Sequence, residues 1–240
     1  MKKTNLFELP SLATTLSLLG MVDEISQLKK ENKKISEEAA KTILKALDFK
    51  DHYTFGHSMR VAYFSMVTGR ELELTPEEMH ELELSALFHD IGKISTPDAI
   101  LNKPTRLNED EFLIMKNHPE KSFEILNEFP GFSRIAMNAR FHHERFDGRG
   151  YPLGLKGDEI PLIARIILVA DTFDAMTSTR PYRKGLSYDI AYQELRDFSG
   201  TQFDPTIAQA FINGMKKEVL KGEEEFFIPL LSKKFNKNAA

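Results

Sequence analysis

The sequence has no cysteine, so disulfide scaffolds, thiolate zinc sites and cysteine nucleophiles are excluded, and any metal must be held by histidine and carboxylate. It also lacks a basic excess. With 32 Lys and Arg against 36 Asp and Glu, the formal net charge is −4, which argues against a general binder of DNA or RNA. A small anionic ligand stays compatible, because local charge can oppose the net. Nor is there a long apolar run. Lys2-Lys3 followed by a leucine-rich stretch through Leu19 superficially resembles a secretory leader, but Glu8 and Pro10 interrupt it. The cleanest stretch, Ser11 to Val22, is studded with Thr and Ser and too short to span a bilayer. The expectation is a cytoplasmic protein without membrane contact, and a reducing interior suits the absence of cysteine.

What is present is a chain of 240 residues, 41% hydrophobic, able to bury one sizeable core. Start signals predict a nearly all-α protein. Thr75-Pro76-Glu77-Glu78 combines an N-cap, a proline at the first helical position and a capping-box glutamate, so a helix should run towards Phe88. Asn108 with Glu111, Ser187 before Tyr188-Asp189, and Asp204-Pro205 open three further helices by the same logic. Apolar residues at 163, 166, 167 and 170 recur at helical spacing, which puts Ala170 on a buried face with Asp171 beside it. Ser95 to Leu107 and Phe146 to Pro161 are rich in Gly, Pro and Asp and read as ordered loops. Leu18, Met21, Ile25 and Leu28 follow heptad spacing; two heptads favour a helix packed on its own domain over a dimerising coiled coil, with a homodimer as the second option. The expected organisation is an N-terminal helical extension over 1–35, a main domain over 36–231 and a polar, lysine-rich tail over 232–240.

Seven histidines occur, and a lone histidine on a helix is ordinarily structural or exposed, the reading kept for His52 and His80. The other five, His57, His89, His118, His142 and His143, occur with Asp90 directly after His89 and with Asp171 on the later helix. Histidine costs free energy to bury unless its ring nitrogens find partners, so several on apolar helical faces call for a shared reason. Metal ions supply one: imidazole with carboxylate suits first-row transition metals, and Asp90 could bridge two of them. Spacing alone does not show that these residues converge.

The run His89-Asp90-Ile91-Gly92-Lys93, with His57 upstream and Asp171 downstream, resembles the HD phosphohydrolase superfamily. The run His142-His143-Glu144-Arg145-Phe146-Asp147-Gly148-Arg149-Gly150-Tyr151-Pro152 is more specific and resembles the HD-GYP subfamily, named for its last three residues. Ala170-Asp171-Thr172-Phe173-Asp174-Ala175-Met176 and Arg180-Pro181-Tyr182-Arg183 extend the likeness over roughly residues 48 to 215. The resemblance implies a compact HD-type helical bundle around a metal centre. It implies that His57, His89 and Asp171 hold one metal, that His118, His142 and His143 hold the other, and that Asp90 bridges them. It puts Lys93 beside the scissile phosphate and makes Arg183 a second candidate for phosphate oxygens. Some members take a third metal through a glutamate one turn before the first histidine; Tyr53 stands there, so a binuclear site is expected, unless Asp51 or His52 swings inward.

Such a site, with iron or manganese as the implied divalent ions, suits phosphodiester hydrolysis. Paired cations lower the pKa of a water enough for hydroxide attack and neutralise charge building on phosphorus, and Lys93 adds stabilisation at the transition state. The expected reaction is cyclic di-GMP to pGpG, with GMP as a further product. Alternatives are a non-catalytic cyclic di-GMP receptor, and an HD hydrolase of another cyclic dinucleotide or nucleotide. The GYP loop carries three readings: an ordered turn that orients the preceding histidines, a guanine contact by Tyr151, or a docking face for a diguanylate cyclase.

Overall fold

The computed structural model describes residues 52–179 and 184–221, together with 20–28, 30–32, 34, 35, 37–39 and 42. Asp51, Arg180 to Arg183 and the tail over 232–240 lie outside the described residues, and so does the side chain of Tyr53. The described chain is helical, with two isolated bridges and no strand. In order come α1 (His52–Glu71), α2 (Pro76–Phe88), α3 (Asp98–Leu101), α4 (Glu109–Met115), α5 (His118–Asn127), α6 (Ser133–Phe141), α7 (Leu162–Thr177), α8 (Tyr188–Asp197) and α9 (Pro205–Lys221), with 3-10 turns at Ile91–Ser95 and Gly157–Glu159.

The predicted caps form. Thr75 and Glu78 make a reciprocal capping box at α2, as do Asn108 and Glu111 at α4; each pair satisfies two backbone N–H groups that a helix start leaves without partners. Ser187 accepts the N–H of Ile190 at the head of α8. The Asp204 carboxylate accepts the N–H of Thr206 at 2.8 Å. The segment 95–107, expected as loop, instead holds α3. Pro97 sets the chain direction at its start and Ile100 packs inward, so burial adds a turn of helix that local composition hides.

α7 runs through the middle. Ile163 to Ala170 is buried except for Arg165, more than one helical face, because α1, α2, α6, α8 and α9 all pack on this helix. Phe173 of α7 meets Phe64 of α1 edge-on at 5.2 Å, Phe211 of α9 at 4.8 Å and Tyr192 of α8 in a stack at 5.5 Å. Burying one such ring contributes about 1.5–3 kcal/mol, so this cluster holds α1 and α7 in register where the site is built.

Residues 20–28 are helical, but Met21, Val22, Ile25 and Leu28 remain 51–61% exposed. The packing onto its own domain expected for this face does not occur at these positions; farther along, Glu37 reaches His80 at 3.0 Å. Among the described residues, no helix is long and apolar enough to cross a membrane.

Candidate metal centre

The site is assembled largely from helix ends. His89 caps the C-terminus of α2 and Asp90 precedes the Ile91–Ser95 turn. His118 is the first residue of α5, His142 caps the C-terminus of α6 and His143 follows it. Within a helix, consecutive side chains diverge; where the helix stops, neighbours such as His89-Asp90 and His142-His143 turn to one place. His57 and Asp171 come from mid-helix positions on α1 and α7, which the aromatic cluster holds together.

Four of the five rings are oriented by hydrogen bonds from the protein itself. His89, His118 and His142 engage the backbone carbonyls of Ala86, Met115 and Ala139 through Nδ1, at 2.7, 2.7 and 2.6 Å. A carbonyl only accepts, so Nδ1 carries the hydrogen, and in the neutral ring the lone pair sits on Nε2. His57 does the same with a carboxylate, Nδ1 lying 2.7 Å from Asp174 Oδ2.

The Nε2 atoms gather on Asp90. Its Oδ2 lies 3.5 Å from His57 Nε2 and 3.3 Å from His89 Nε2, while Oδ1 lies 3.1 Å from His118 Nε2 and 3.8 Å from His142 Nε2. Asp171 Oδ1 is 3.1 Å from His57 Nε2. Two groups could each hold a metal ion, one of Asp90, His118, His142 and His143, the other of His57, His89 and Asp90. Lys93 reaches Asp90 Oδ2 from the 3-10 turn.

The donor set fits cations. His118 Nε2 and His142 Nε2 are 3.3 Å apart with both Nδ1 atoms already committed to carbonyls, so in the neutral rings two lone pairs face each other. His89 Nε2 is buried without a hydrogen-bond partner. Such an arrangement is costly unless positive charge lies between the donors. The electrostatics agree. Burial, and then the imidazoles of His143, His89 and His118, hold His142 well below the usual histidine range. Burial drops His143 to about 3. For His57, burial pulls down, but hydrogen bonds to Asp171, Asp174 and Asp90 outweigh it and raise the ring well above its ordinary value. Burial likewise works against ionised Asp90, yet His89, Lys93, His118 and His57 keep it well below the carboxylate range. Asp171 is lowered in the same way, mainly by His57.

The structure thus brings together His57, His89, Asp90, His118, His142, His143 and Asp171. Arg183 lies outside the described residues. The Tyr151 ring stacks on His143 at 4.8 Å and 28°, with Lys116 Nζ 5.2 Å from its centroid. Asp174, absent from the ligand set that the sequence implies, orients His57 and pairs with Arg60. Its position three residues after Asp171, on the same helical face, was the available signal. The Ser122 hydroxyl also supports the site, accepting the Gly92 N–H at 2.9 Å and donating to the His89 carbonyl at 2.8 Å; nothing in its local sequence marks it.

The chain is similar to known proteins in sequence and in fold. The HD domain family matches residues 41–207. The chain is 36% identical over 206 residues to the cyclic di-GMP phosphodiesterase response regulator RpfG of Xanthomonas campestris, covering 85% of this chain and 53% of that protein. It is 40% identical over 174 residues to a cyclic di-GMP phosphodiesterase of Thermotoga maritima, 72% of this chain and 47% of the relative. A 3'3'-cGAMP-specific phosphodiesterase of Vibrio cholerae is 41% identical over 161 residues, 67% of this chain and 35% of its own length. The chain therefore spans about half the length, or less, of these relatives. Among solved structures, a cyclic GMP-AMP specific phosphodiesterase of V. cholerae superposes with a TM-score of 0.56 at 22% identity, over 74% of this chain and 47% of that one. The PgpH HD domain of L. monocytogenes in complex with cyclic-di-AMP gives 0.52 at 19%, over 75% and 96%. The chain belongs to the HD domain family, and its HD and GYP runs mark it as a member of the HD-GYP subfamily.

Proposed function

We propose that this chain is a metal-dependent phosphodiesterase that hydrolyses a cyclic dinucleotide, cyclic di-GMP first among them, to the linear pGpG and onward to GMP. The observation that supports this most is Asp90, whose two carboxylate oxygens face two separate groups of imidazoles. His57, His89 and Asp171 would hold one ion, His118, His142 and His143 the other, with Asp90 shared between them. Two divalent ions, iron or manganese, would supply a water of lowered pKa and charge for the non-bridging phosphate oxygens. The chain's own contributions are distinct. The carbonyls of Ala86, Met115 and Ala139 and the Asp174 carboxylate fix which nitrogen His89, His118, His142 and His57 present. Lys93 brings a cation to the edge of the site, suited to a phosphate oxygen as negative charge grows there. Tyr151, stacked beside His143, offers an aromatic edge to a base, and Arg183 is a further candidate for phosphate.

A second substrate reading has support of its own, since relatives of similar identity are named for cyclic di-GMP and for 3'3'-cGAMP. Two partner surfaces belong to this proposal. Exposed Arg149 and Leu153 on the GYP loop would face a diguanylate cyclase, and exposed Met21, Val22, Ile25 and Leu28 would face a second copy of the chain. The setting would be cytoplasmic.

The test incubates the purified chain anaerobically with iron or manganese and, in parallel, cyclic di-GMP, 3'3'-cGAMP, cyclic-di-AMP and a mononucleotide, then chromatographs the products. Linear dinucleotide or mononucleotide from a cyclic dinucleotide is expected. Replacing His89 and Asp90 together by Ala should abolish turnover and lower bound metal. Tight binding without products would leave a receptor instead of an enzyme.

A further inference from the structure

The segment from His143 to Leu155 closes on itself around one buried carboxylate. Glu144 has no solvent exposure. Its Oε1 accepts the backbone N–H groups of Leu153 at 2.6 Å and Gly154 at 3.0 Å, and Oε2 accepts that of Leu155 at 3.0 Å. Burying a carboxylate is costly, so its presence here points to a need for a group that only accepts. A glutamine would turn an NH2 donor towards one of these three amides.

The three bonds pull the GYP run back over its own beginning. A Cβ at Gly150 would come within 2.3 Å of Arg145 N and 2.5 Å of the His143 carbonyl oxygen, so only glycine lets the two backbone segments meet. The Tyr151 N–H donates to that His143 carbonyl at 3.2 Å, and the Tyr151 ring lies on the His143 imidazole. His143 is half-buried; the His142 and His118 rings meet it at 42° and 90°, and Tyr151 is the ring stacked on it, at 28°.

We propose that Glu144 is a positioning residue for the second metal: it holds closed the loop that seats Tyr151 on His143 and thereby keeps that imidazole directed at the ion shared with Asp90, His118 and His142. This rests on the reading of His143 as a ligand. Both carboxylate oxygens of Glu144 are taken up by loop amides, so it acts through the loop and Tyr151.

The experiment uses the full chain and manganese alone as probe, without substrate. Manganese affinities of the two sites are measured by titration for wild type, Glu144→Gln and Tyr151→Leu, with thermal midpoints recorded beside them. Glu144→Gln is expected to keep its first ion and to lose about 10- to 100-fold in affinity for the second. Tyr151→Leu is expected to show the same selective loss with the carboxylate intact, which tests the link through Tyr151, while a purely structural Glu144 would in Glu144→Gln lower the thermal midpoint without separating the two affinities. In turnover assays kcat should fall with the second site's occupancy and recover partly at high manganese. Two ions bound by Glu144→Gln with wild-type affinity would overturn the proposal, whatever its thermal midpoint. Should that variant not fold, an unchanged second-site affinity in Tyr151→Leu overturns it instead. A wild-type chain that does not bind two ions would overturn the underlying site reading, a result distinct from either.

Discussion

At the scale of single residues, the candidate site works by commitment of Nδ1. His57, His89, His118 and His142 each spend that nitrogen on a carboxylate or a backbone carbonyl, so the remaining nitrogens converge without rearrangement. Three histidines of the site, His57, His142 and His143, make the metal-free protein sensitive to pH in two opposite directions. His142 and His143 stay neutral when folded but take protons when unfolded below about pH 6.5. Each therefore removes stability as pH falls through that value, by about 1.4 kcal/mol per pH unit at most. His57 has the reverse sign. Its folded pKa is raised, so its contribution is complete below about 6.5 and is lost as pH rises through the folded value. Metal-free protein should thus be most stable near pH 6.5. Urea midpoints of chelator-treated protein at about pH 5, 6.5 and 8 measure this, and a monotonic trend would contradict it. The five histidines and two aspartates were legible as a group from their types and from the family runs. Ser122 and the linkage of Asp174 to His57 were not, because a hydrogen bond spanning 33 or 117 positions leaves no local pattern.

At the scale of elements, caps were the most readable feature. Thr75 with Glu78, and Asn108 with Glu111, bond to amides three residues away, so nearby sequence suffices to place them. The turn Ile91–Ser95 was harder to foresee, since its geometry depends on α5 packed against it. Gly92 shows how closely. A Cβ there would meet the His118 carbonyl oxygen at 2.1 Å and the Ser122 amide nitrogen at 2.4 Å. Both are backbone atoms on the element that carries His118, so neither can swing aside. Gly92→Ala should therefore destabilise the protein by about 1–3 kcal/mol or more, and it should cost metal affinity as well by parting Asp90 from His118. Urea unfolding and metal content of the dialysed variant check the two effects; a variant with wild-type metal content would show that the turn moves independently of the site.

At the scale of the whole molecule, the candidate ligands come from α1, α2 with its 3-10 turn, α5, α6 and α7, so an ion held there ties together elements from His57 to Asp171. Anything that binds only the folded state stabilises it, by about 2.7 kcal/mol at a hundredfold excess over the dissociation constant. For a domain of this size that is a rise in Tm of about 5–10 °C. Manganese should produce it in a thermal melt of the wild-type chain, whereas His89→Ala/Asp90→Ala should show almost none. What the sequence by itself determined was local or compositional: helical class, cap positions, the exclusion of thiolate chemistry, and the residue types able to serve a metal. Hydrophobic period and capping act over a few residues, and they are written wherever those residues stand. Convergence was decided only by tertiary structure. Which nitrogen each ring presents, how Asp90 divides its two oxygens, how Glu144 closes its loop and why α7 is buried on more than one side all depend on groups distant in the chain, brought into contact by the packing of α1, α7, α8 and α9 around Phe173.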